Sequence, residues 1–289
     1  MPELPEVETI RRGLEEKILH KRVMRVVVLC DKSWRGLGKE LVEGQQIVRL
    51  ERRGKALLMR LENKLWMMAH LRMTGQMVYV GAERFAAGHP DSGFLDEMPG
   101  RHTRVYFEFD DGTHLYFNDQ RKFGFIKVLD ELGLQSDTFL SSLAPEPWDM
   151  SEDEFWVRLQ RHQKALIKAV ILDQKVIAGV GNIYADEACF AARLYPGTRV
   201  GAVSRETADL LLQGLRDVMQ RSIDSGGSTM KDYVRADGTK GSYLEKFAQV
   251  FRREGEACRR CGNEILKTRV AGRGTHYCPH CQPRGKGDA

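Results

Sequence analysis

Residues 103–117 read TRVYFEFDDGTHLYF. Two runs rich in β-branched and aromatic residues flank the turn Asp110-Asp111-Gly112-Thr113, and that pattern predicts a β-hairpin. Stretches of similar texture lie on either side: 23–29, 47–50, 56–61, 65–71, 76–80 and 123–128. Many short strands joined by turns read as a β-sandwich or a barrel. Ahead of them Leu4, Val7, Ile10, Leu14 and Ile18 recur at spacings of three and four, one apolar stripe of a helix over about 3–19. The Gly/Pro-punctuated stretch 81–101 is expected to be a long, mobile loop.

The texture changes near LAPEPWDM (143–150). Ser151 and Glu154 form a capping-box pattern ahead of FWVRLQRH. Helical patterns continue through ALIKAVILD, then NIYADEACFAARL, then a segment from about 204 to 224. The reading is an α+β multidomain chain: an N-terminal β domain with an N-terminal helix (1–142), a helical domain (143–250) and a small C-terminal module (251–289).

That last module carries charge and cysteine. Residues 252–289 hold nine Lys/Arg against four Asp/Glu, which accounts for the whole net charge of +5 and leaves the rest neutral. A basic tail behind a neutral body points to a polyanion partner. Cys258, Cys261, Cys278 and Cys281 follow the frame C-x2-C-x16-C-x2-C, two knuckles able to close a tetrahedral thiolate site around one Zn²⁺. His276 and His280 lie nearby, but four cysteines already fill a tetrahedron. Cys30 and Cys189, alone in apolar surroundings, are expected in the core. No apolar leader and no membrane-length apolar run is present, so a cytoplasmic protein is expected.

Four stretches carry chemistry. The chain begins MPELPEVETI. If Met1 is trimmed, Pro2 presents a secondary amine at a helix start; a terminal amine ordinarily titrates near ~8, and the helix dipole disfavours its protonated form. Such an amine can attack a sugar C1′ to give an iminium, which permits β-elimination. Glu3 and Glu6 are then candidates for moving protons. The same residues also suit a plain helix start. GVGNIYADE (179–187) is a glycine-rich turn into a helix, suited to a phosphate. GGSTMKDYVRADGTKG (226–241) reads as a flexible lid or a nucleic-acid loop. HLRMTG (70–75) and NDQRKFG (118–124) place Met73, Arg121 and Phe123 where apolar wedges and an arginine could open a duplex.

MPELPEVET, RRGKALLMRL, HLRMTG, NDQRKFG, GVGNIYADEA and the terminal CxxC…CxxC, in that order along nearly the whole chain, resemble the bacterial formamidopyrimidine-DNA glycosylases. The resemblance implies a β-sandwich, a helix-two-turn-helix domain and a zinc ribbon with one structural Zn²⁺. It also implies removal of oxidised purines, 8-oxoguanine and formamidopyrimidines, from double-stranded DNA in base-excision repair, with β,δ-elimination at the resulting abasic (AP) site. Pro2 would form the Schiff base, with Glu3 as acid or base beside it. Lys55 would serve β-elimination, and Arg273 would reach phosphate and serve δ-elimination. Asn182 would hold phosphate with Lys55, and His102, Arg121 and Lys164 would contact DNA. A monomer working on the bacterial nucleoid is implied.

The chain departs from the family at VFRR (250–253), with Arg252 where glycine is common, and in its long 81–101 segment. An endonuclease VIII-like enzyme for oxidised pyrimidines is the nearest alternative, although the PELPEVE start favours the purine branch. A non-enzymatic zinc-ribbon DNA-binding protein would bind without cutting. A proline-based tautomerase would leave the ribbon idle.

Overall fold

The computed structural model describes residues 2–88, 98–227 and 243–285. Helix α1 (Leu4–Ile18) opens the chain. Its five stripe residues are each at most 1% exposed. At roughly 1.5–3 kcal/mol per buried aliphatic side chain, that stripe is what fixes the helix on its sheets.

Among the described residues ten strands follow: β1 (Val23–Val28), β2 (Trp34–Gly36), β3 (Ile47–Arg53), β4 (Ala56–Leu61), β5 (Trp66–His70), β6 (Gly75–Val80), β7 (Arg84–Gly88), β8 (Thr103–Phe109), β9 (His114–Asp119) and β10 (Phe125–Leu129). They form two five-stranded sheets, β1-β8-β9-β6-β7 and β2-β10-β5-β4-β3. The expected hairpin is β8–β9, with Phe107 opposite Leu115 and Tyr106 opposite Tyr116. Phe107, Leu115 and Phe117 join Val7, Ile10 and Leu14 in one core with Leu57, Met59 and Ile126. The architecture is a sandwich rather than a barrel.

Two strands carry little signal in the sequence. β7 occupies part of the stretch 81–101 that reads as a loop, pairing with β6 from Gln76↔Gly88 to Val80↔Arg84. Its sequence RFAAG has little strand propensity, and an edge position beside β6 supplies the order. Residues 89–97 of that stretch lie outside the described residues. β2 is three residues long and pairs in parallel with β10.

Helices α2 (Glu131–Ser136) and α3 (Thr138–Ser141) follow the strands. Beyond them come α4 (Glu152–Gln160), α5 (Ile167–Leu172), α6 (Asn182–Ala191), α7 (Arg205–Asp224) and α8 (Tyr243–Phe247). Ser151 caps α4 by accepting the Glu154 N–H. The hairpin β11 (Leu266–Val270) and β12 (Arg273–Tyr277) completes the chain. Contacts divide the chain into Met1–Ser141 with Ser225–Ser242, and Ser142–Asp224 with Tyr243–Ala289. Among the described residues no helix is long and apolar enough to cross a membrane.

Candidate active site and nucleic-acid contacts

Pro2 is buried just ahead of α1, and Pro5 stands in the first turn, where a missing N–H costs nothing. Glu3 is the N-cap. It forms a reciprocal capping box with Glu6, whose carboxylate accepts the Glu3 N–H at 2.8 Å. Glu3 and Glu6 are 3% and 1% exposed, so both carboxylates sit buried beside the amino terminus. Met1 lies outside the described residues.

The tight turn between β3 and β4 carries Gly54 (φ +56) and Lys55, and Lys55 is buried. Arg52 ties this turn to α1. Its guanidinium donates to the Gly54 carbonyl at 3.1 Å and to Glu8 at 3.1 Å. Burial would raise the Glu8 pKa, but hydrogen bonds from Arg11 and Arg12 and the Arg11 and Arg52 charges outweigh it and hold Glu8 ionised. The amino-terminal helix and the lysine turn are thereby pinned to each other.

His70 is a residue that sequence reasoning missed. It ends β5 opposite Ala56, the residue after Lys55, and is 5% exposed. Its Nδ1 accepts the Arg72 N–H at 3.1 Å, which leaves the neutral ring's proton on Nε2. Burial, then the charges of Arg72 and Lys55, push its pKa down to about 3. It is a neutral donor beside a cationic lysine.

The loops carrying Met73, Arg121 and Phe123 meet at Asp119, which is fully buried. Its Oδ1 accepts from the Thr74 hydroxyl and from the Arg121 N–H, and its Oδ2 accepts the Gly124 N–H at 2.7 Å. Thr74 Oγ1 accepts the Arg121 N–H as well, at 3.0 Å. Glycines close both motifs for steric reasons: a Cβ on Gly75 would sit 2.3 Å from the Leu71 carbonyl oxygen, and one on Gly124 would sit 2.7 Å from the Phe117 ring. Held this way, Met73 is 37% exposed and Phe123 49% exposed, with the Arg121 guanidinium 4.7 Å above the Phe123 ring. Large apolar side chains on a rigid base yet open to solvent are suited to enter something. His102 is half-buried one residue before β8, and its carbonyl accepts the Asp119 N–H.

A second group lies among residues 142–285. Gly181 is the N-cap of α6 and Asn182 its first residue. Gln174 shapes the turn before it, accepting the Gly179 N–H and donating to the Val180 carbonyl. Asn182 Nδ2 donates to the Gly274 carbonyl at 3.0 Å. Lys168 and Asp186, both fully buried, form an ion pair at 2.6 Å, and Lys168 also donates to the Gly274 carbonyl and to Thr275 Oγ1. Exposed Arg273 at the hairpin tip is therefore anchored to α5 and α6 through its next two residues. Lys164 is exposed in the turn before α5, away from any ion pair among the described residues.

The four cysteine sulfurs lie within 4.8 Å of one another, with Cys258–Cys281 at 4.0 Å and Cys261–Cys278 at 3.5 Å. Tetrahedral Zn–S bonds of about 2.3 Å require S···S separations near ~3.8 Å, so the set fits one Zn²⁺ with no open position. N–H groups of Arg260, Asn263 and Cys281 point at the sulfurs; those of Asn263 draw the Cys261 thiol down to about 6. His276 is no ligand: its ring faces Asp186 (3.3 Å) and Glu254 (3.2 Å). Cys189 is buried as expected, whereas Cys30 is only half-buried.

Arg252, the departure at VFRR, adopts φ +58, the left-handed region that suits glycine. The preceding residues are clamped by Glu187, whose buried carboxylate accepts the N–H groups of Gln249, Val250 and Phe251. Of the glycine-rich 226–241 stretch, only Gly226 and Gly227 are described; a Cβ on Gly227 would lie 3.6 Å from the Glu6 side chain.

Three family models match consecutive parts of the chain. They are the formamidopyrimidine-DNA glycosylase N-terminal domain over 1–126, the H2TH domain of the same glycosylases over 143–234, and a zinc finger found in FPG and IleRS over 255–284. The formamidopyrimidine-DNA glycosylase of Carboxydothermus hydrogenoformans is 40% identical over 98% of this chain and all of its own; that of Pelotomaculum thermopropionicum is 38% identical over 98% and 99%. Among solved structures, a Lactococcus lactis FPG mutant complexed with Fapy-dG-containing DNA superposes with TM-score 0.86 at 32% identity. The FPG protein of Thermus thermophilus superposes with TM-score 0.83 at 38% identity. Each alignment covers 98% of this chain and all of the other. Over its whole length, and in each of its three sequence modules, the chain belongs to the formamidopyrimidine-DNA glycosylase family.

Proposed function

We infer that the protein is a bifunctional DNA glycosylase and AP lyase of base-excision repair, removing oxidised purines such as 8-oxoguanine and formamidopyrimidines from duplex DNA. The observation that carries this is the buried amino terminus. Pro2 stands at the head of a helix capped by two carboxylates, with the Lys55 turn salt-bridged to that same helix through Arg52 and Glu8. The Lactococcus relative binds Fapy-dG DNA and, in other complexes, abasic-site DNA, which are the substrate and the intermediate of this reaction.

With Met1 removed, the Pro2 nitrogen attacks C1′. The C1′–N bond breaks, and the base leaves with the electron pair and takes up a proton, which Glu3 supplies or relays. The amine sheds its proton, the C1′–O4′ bond opens with its electron pair and a proton going to O4′, and the resulting iminium acidifies C2′; loss of that proton expels the 3′ phosphate. A second elimination, with Arg273 on the phosphate, expels the 5′ phosphate. Lys55 serves the first elimination, with neutral His70 at the end of the neighbouring strand β5.

The remaining assignments follow from exposure and chemistry. Met73 and Phe123 enter the base stack and Arg121 meets the orphaned partner base, since a base must leave the stack before C1′ is reached. The second Nδ2 hydrogen of Asn182, with the first-turn amides of α6, holds a phosphate. His102 and Lys164 add backbone contacts. Glu6 serves the capping box and steadies Glu3. Zn²⁺ holds the ribbon in shape and takes no part in bond breaking. The modules 1–142, 143–250 and 251–289 act on one duplex as a cytoplasmic monomer.

Incubation with a duplex carrying one 8-oxoguanine tests the reading. A nicked strand ending in phosphate on both sides of a one-nucleotide gap is expected. A thymine-glycol duplex cut in preference would favour the endonuclease VIII-like alternative, and binding without nicking would favour the non-enzymatic one.

A further inference from the structure

Several arginines of the sandwich pair with a carboxylate. Arg11, Arg12 and Arg52 pair with Glu8, Arg22 with Glu62, Arg25 with Glu108 and Arg49 with Glu51. Arg35 on β2 and Arg72 in the β5–β6 turn belong to the group with no ion pair among the described residues, and they share a ring. They are nonetheless held together. The Arg35 guanidinium lies 4.0 Å above the Phe125 ring, and that of Arg72 lies 5.9 Å from the same ring and 6.0 Å from Phe139. Phe125 is 5% exposed, so its ring is a fixed platform at the start of β10.

The backbone holds Arg72 as firmly. It adopts φ +53, and its N–H is committed to His70 Nδ1. That left-handed conformation is strained for a residue other than glycine. Burial, then the Arg35 charge, lowers the Arg72 pKa. Two like charges thus lie 4.0 and 5.9 Å from one ring, and neither has an ion pair among the described residues.

We propose that Arg35 and Arg72, gathered about Phe125, form a binding site for a backbone phosphodiester of the DNA duplex. Ring contacts hold both guanidinium groups in place, and a guanidinium offers several N–H donors to phosphate oxygens, which lysine matches in charge but not in geometry. The position fits. Arg72 is the chain neighbour of exposed Met73, and Phe125 lies two residues beyond exposed Phe123. A phosphate seated here would be one that flanks the step Met73 and Phe123 open. The proposal rests on the reading of those residues as duplex-opening groups.

Salt dependence of binding reads the site directly, because each phosphate contact contributes about 0.9 to the slope of log K against log[salt]. The probe is a duplex carrying an uncleavable tetrahydrofuran abasic analogue, titrated between 0.05 and 0.3 M salt, on the order of the range where such slopes are resolved. Arg35→Gln and Arg72→Gln should each flatten the slope by about 0.9, an affinity loss of about eightfold at ~0.1 M salt, and together by about 1.8. Arg35→Lys and Arg72→Lys, which keep the charge, should keep the slope. Melting curves matching the unaltered protein confirm that the variants are folded. Glutamine variants that are folded and keep the full slope would overturn the proposal, and so would lysine variants that lose as much as glutamine. An unaltered protein that binds duplex but never nicks 8-oxoguanine would instead sink the glycosylase reading.

Discussion

Asp119→Asn separates a duplex-opening role for Met73, Arg121 and Phe123 from a purely structural one. The substitution keeps shape and volume and removes the charge. In the native carboxylate one oxygen accepts from Thr74 and the Arg121 N–H, the other from the Gly124 N–H. Whichever way an amide is turned, its NH2 meets a buried N–H, that of Gly124 or that of Arg121. A lost hydrogen bond to a charged group is worth about 1.5–3 kcal/mol. A destabilisation near ~2 kcal/mol is therefore expected from denaturant unfolding. If it falls on the two loops, their ordered arrangement is populated about 30-fold less, since about 1.4 kcal/mol is a factor of ten. kcat/KM on an 8-oxoguanine duplex should fall by about that factor, whereas cleavage of a preformed abasic site, where no base needs extruding, should stay within about threefold. Thr74→Val, which breaks the same bridge from the other loop, should show the same split more weakly. Equal losses on both substrates would refute the reasoning and make Asp119 a core residue only.

Chelation of Zn²⁺, or Cys258→Ser, should unfold the ribbon and weaken duplex binding at least tenfold, read by fluorescence anisotropy; a zinc-free preparation that nicks normally would contradict a structural metal. His70 has a folded pKa of about 3 against about 6.5 unfolded. Below about pH 6.5 the unfolded chain binds a proton that the folded one refuses, so stability is lost as pH falls toward about 3, by up to about 1.4 kcal/mol per unit. His70→Gln should make the stability–pH curve shallower over that window, and unchanged curvature would be incompatible with a buried neutral histidine. Lys168→Met leaves Asp186 charged and buried without its cation, at a cost of about 3–5 kcal/mol. By loosening the Arg273 hairpin it should shift products from δ- toward β-elimination on a denaturing gel; an unaltered product ratio would rule out that link.

The hairpin and strands with strong hydrophobic alternation were legible in the sequence because their partners are near in chain or their burial is strict. β7 and β2 were not, since their order comes from neighbours rather than from their own residues. The zinc site was legible because thiolate spacing is itself the geometry, and the structure brings the four sulfurs together. Exposed Met73 and Phe123 were found through their motifs. The groups that hold the motifs in place were missed: Asp119 and His70 sit inside quoted motifs, but nothing in one dimension says that they are buried or what they bridge. Lys168 did leave a signal, a single charge in the apolar run ALIKAVIL, which only a buried counter-ion explains.

The central claim is that Pro2 is the nucleophile. Borohydride reduces an iminium to a stable amine, so incubation with 8-oxoguanine duplex and borohydride should link protein and DNA covalently. Tandem mass spectrometry should place the link on the N-terminal peptide, with Met1 absent and the DNA fragment on Pro2. A chain that retains Met1, whose Pro2 nitrogen is an amide, should not trap. A cross-link mapped to Lys55, or equal trapping by the Met1-retaining chain, would contradict the account and leave Pro2 as a helix start.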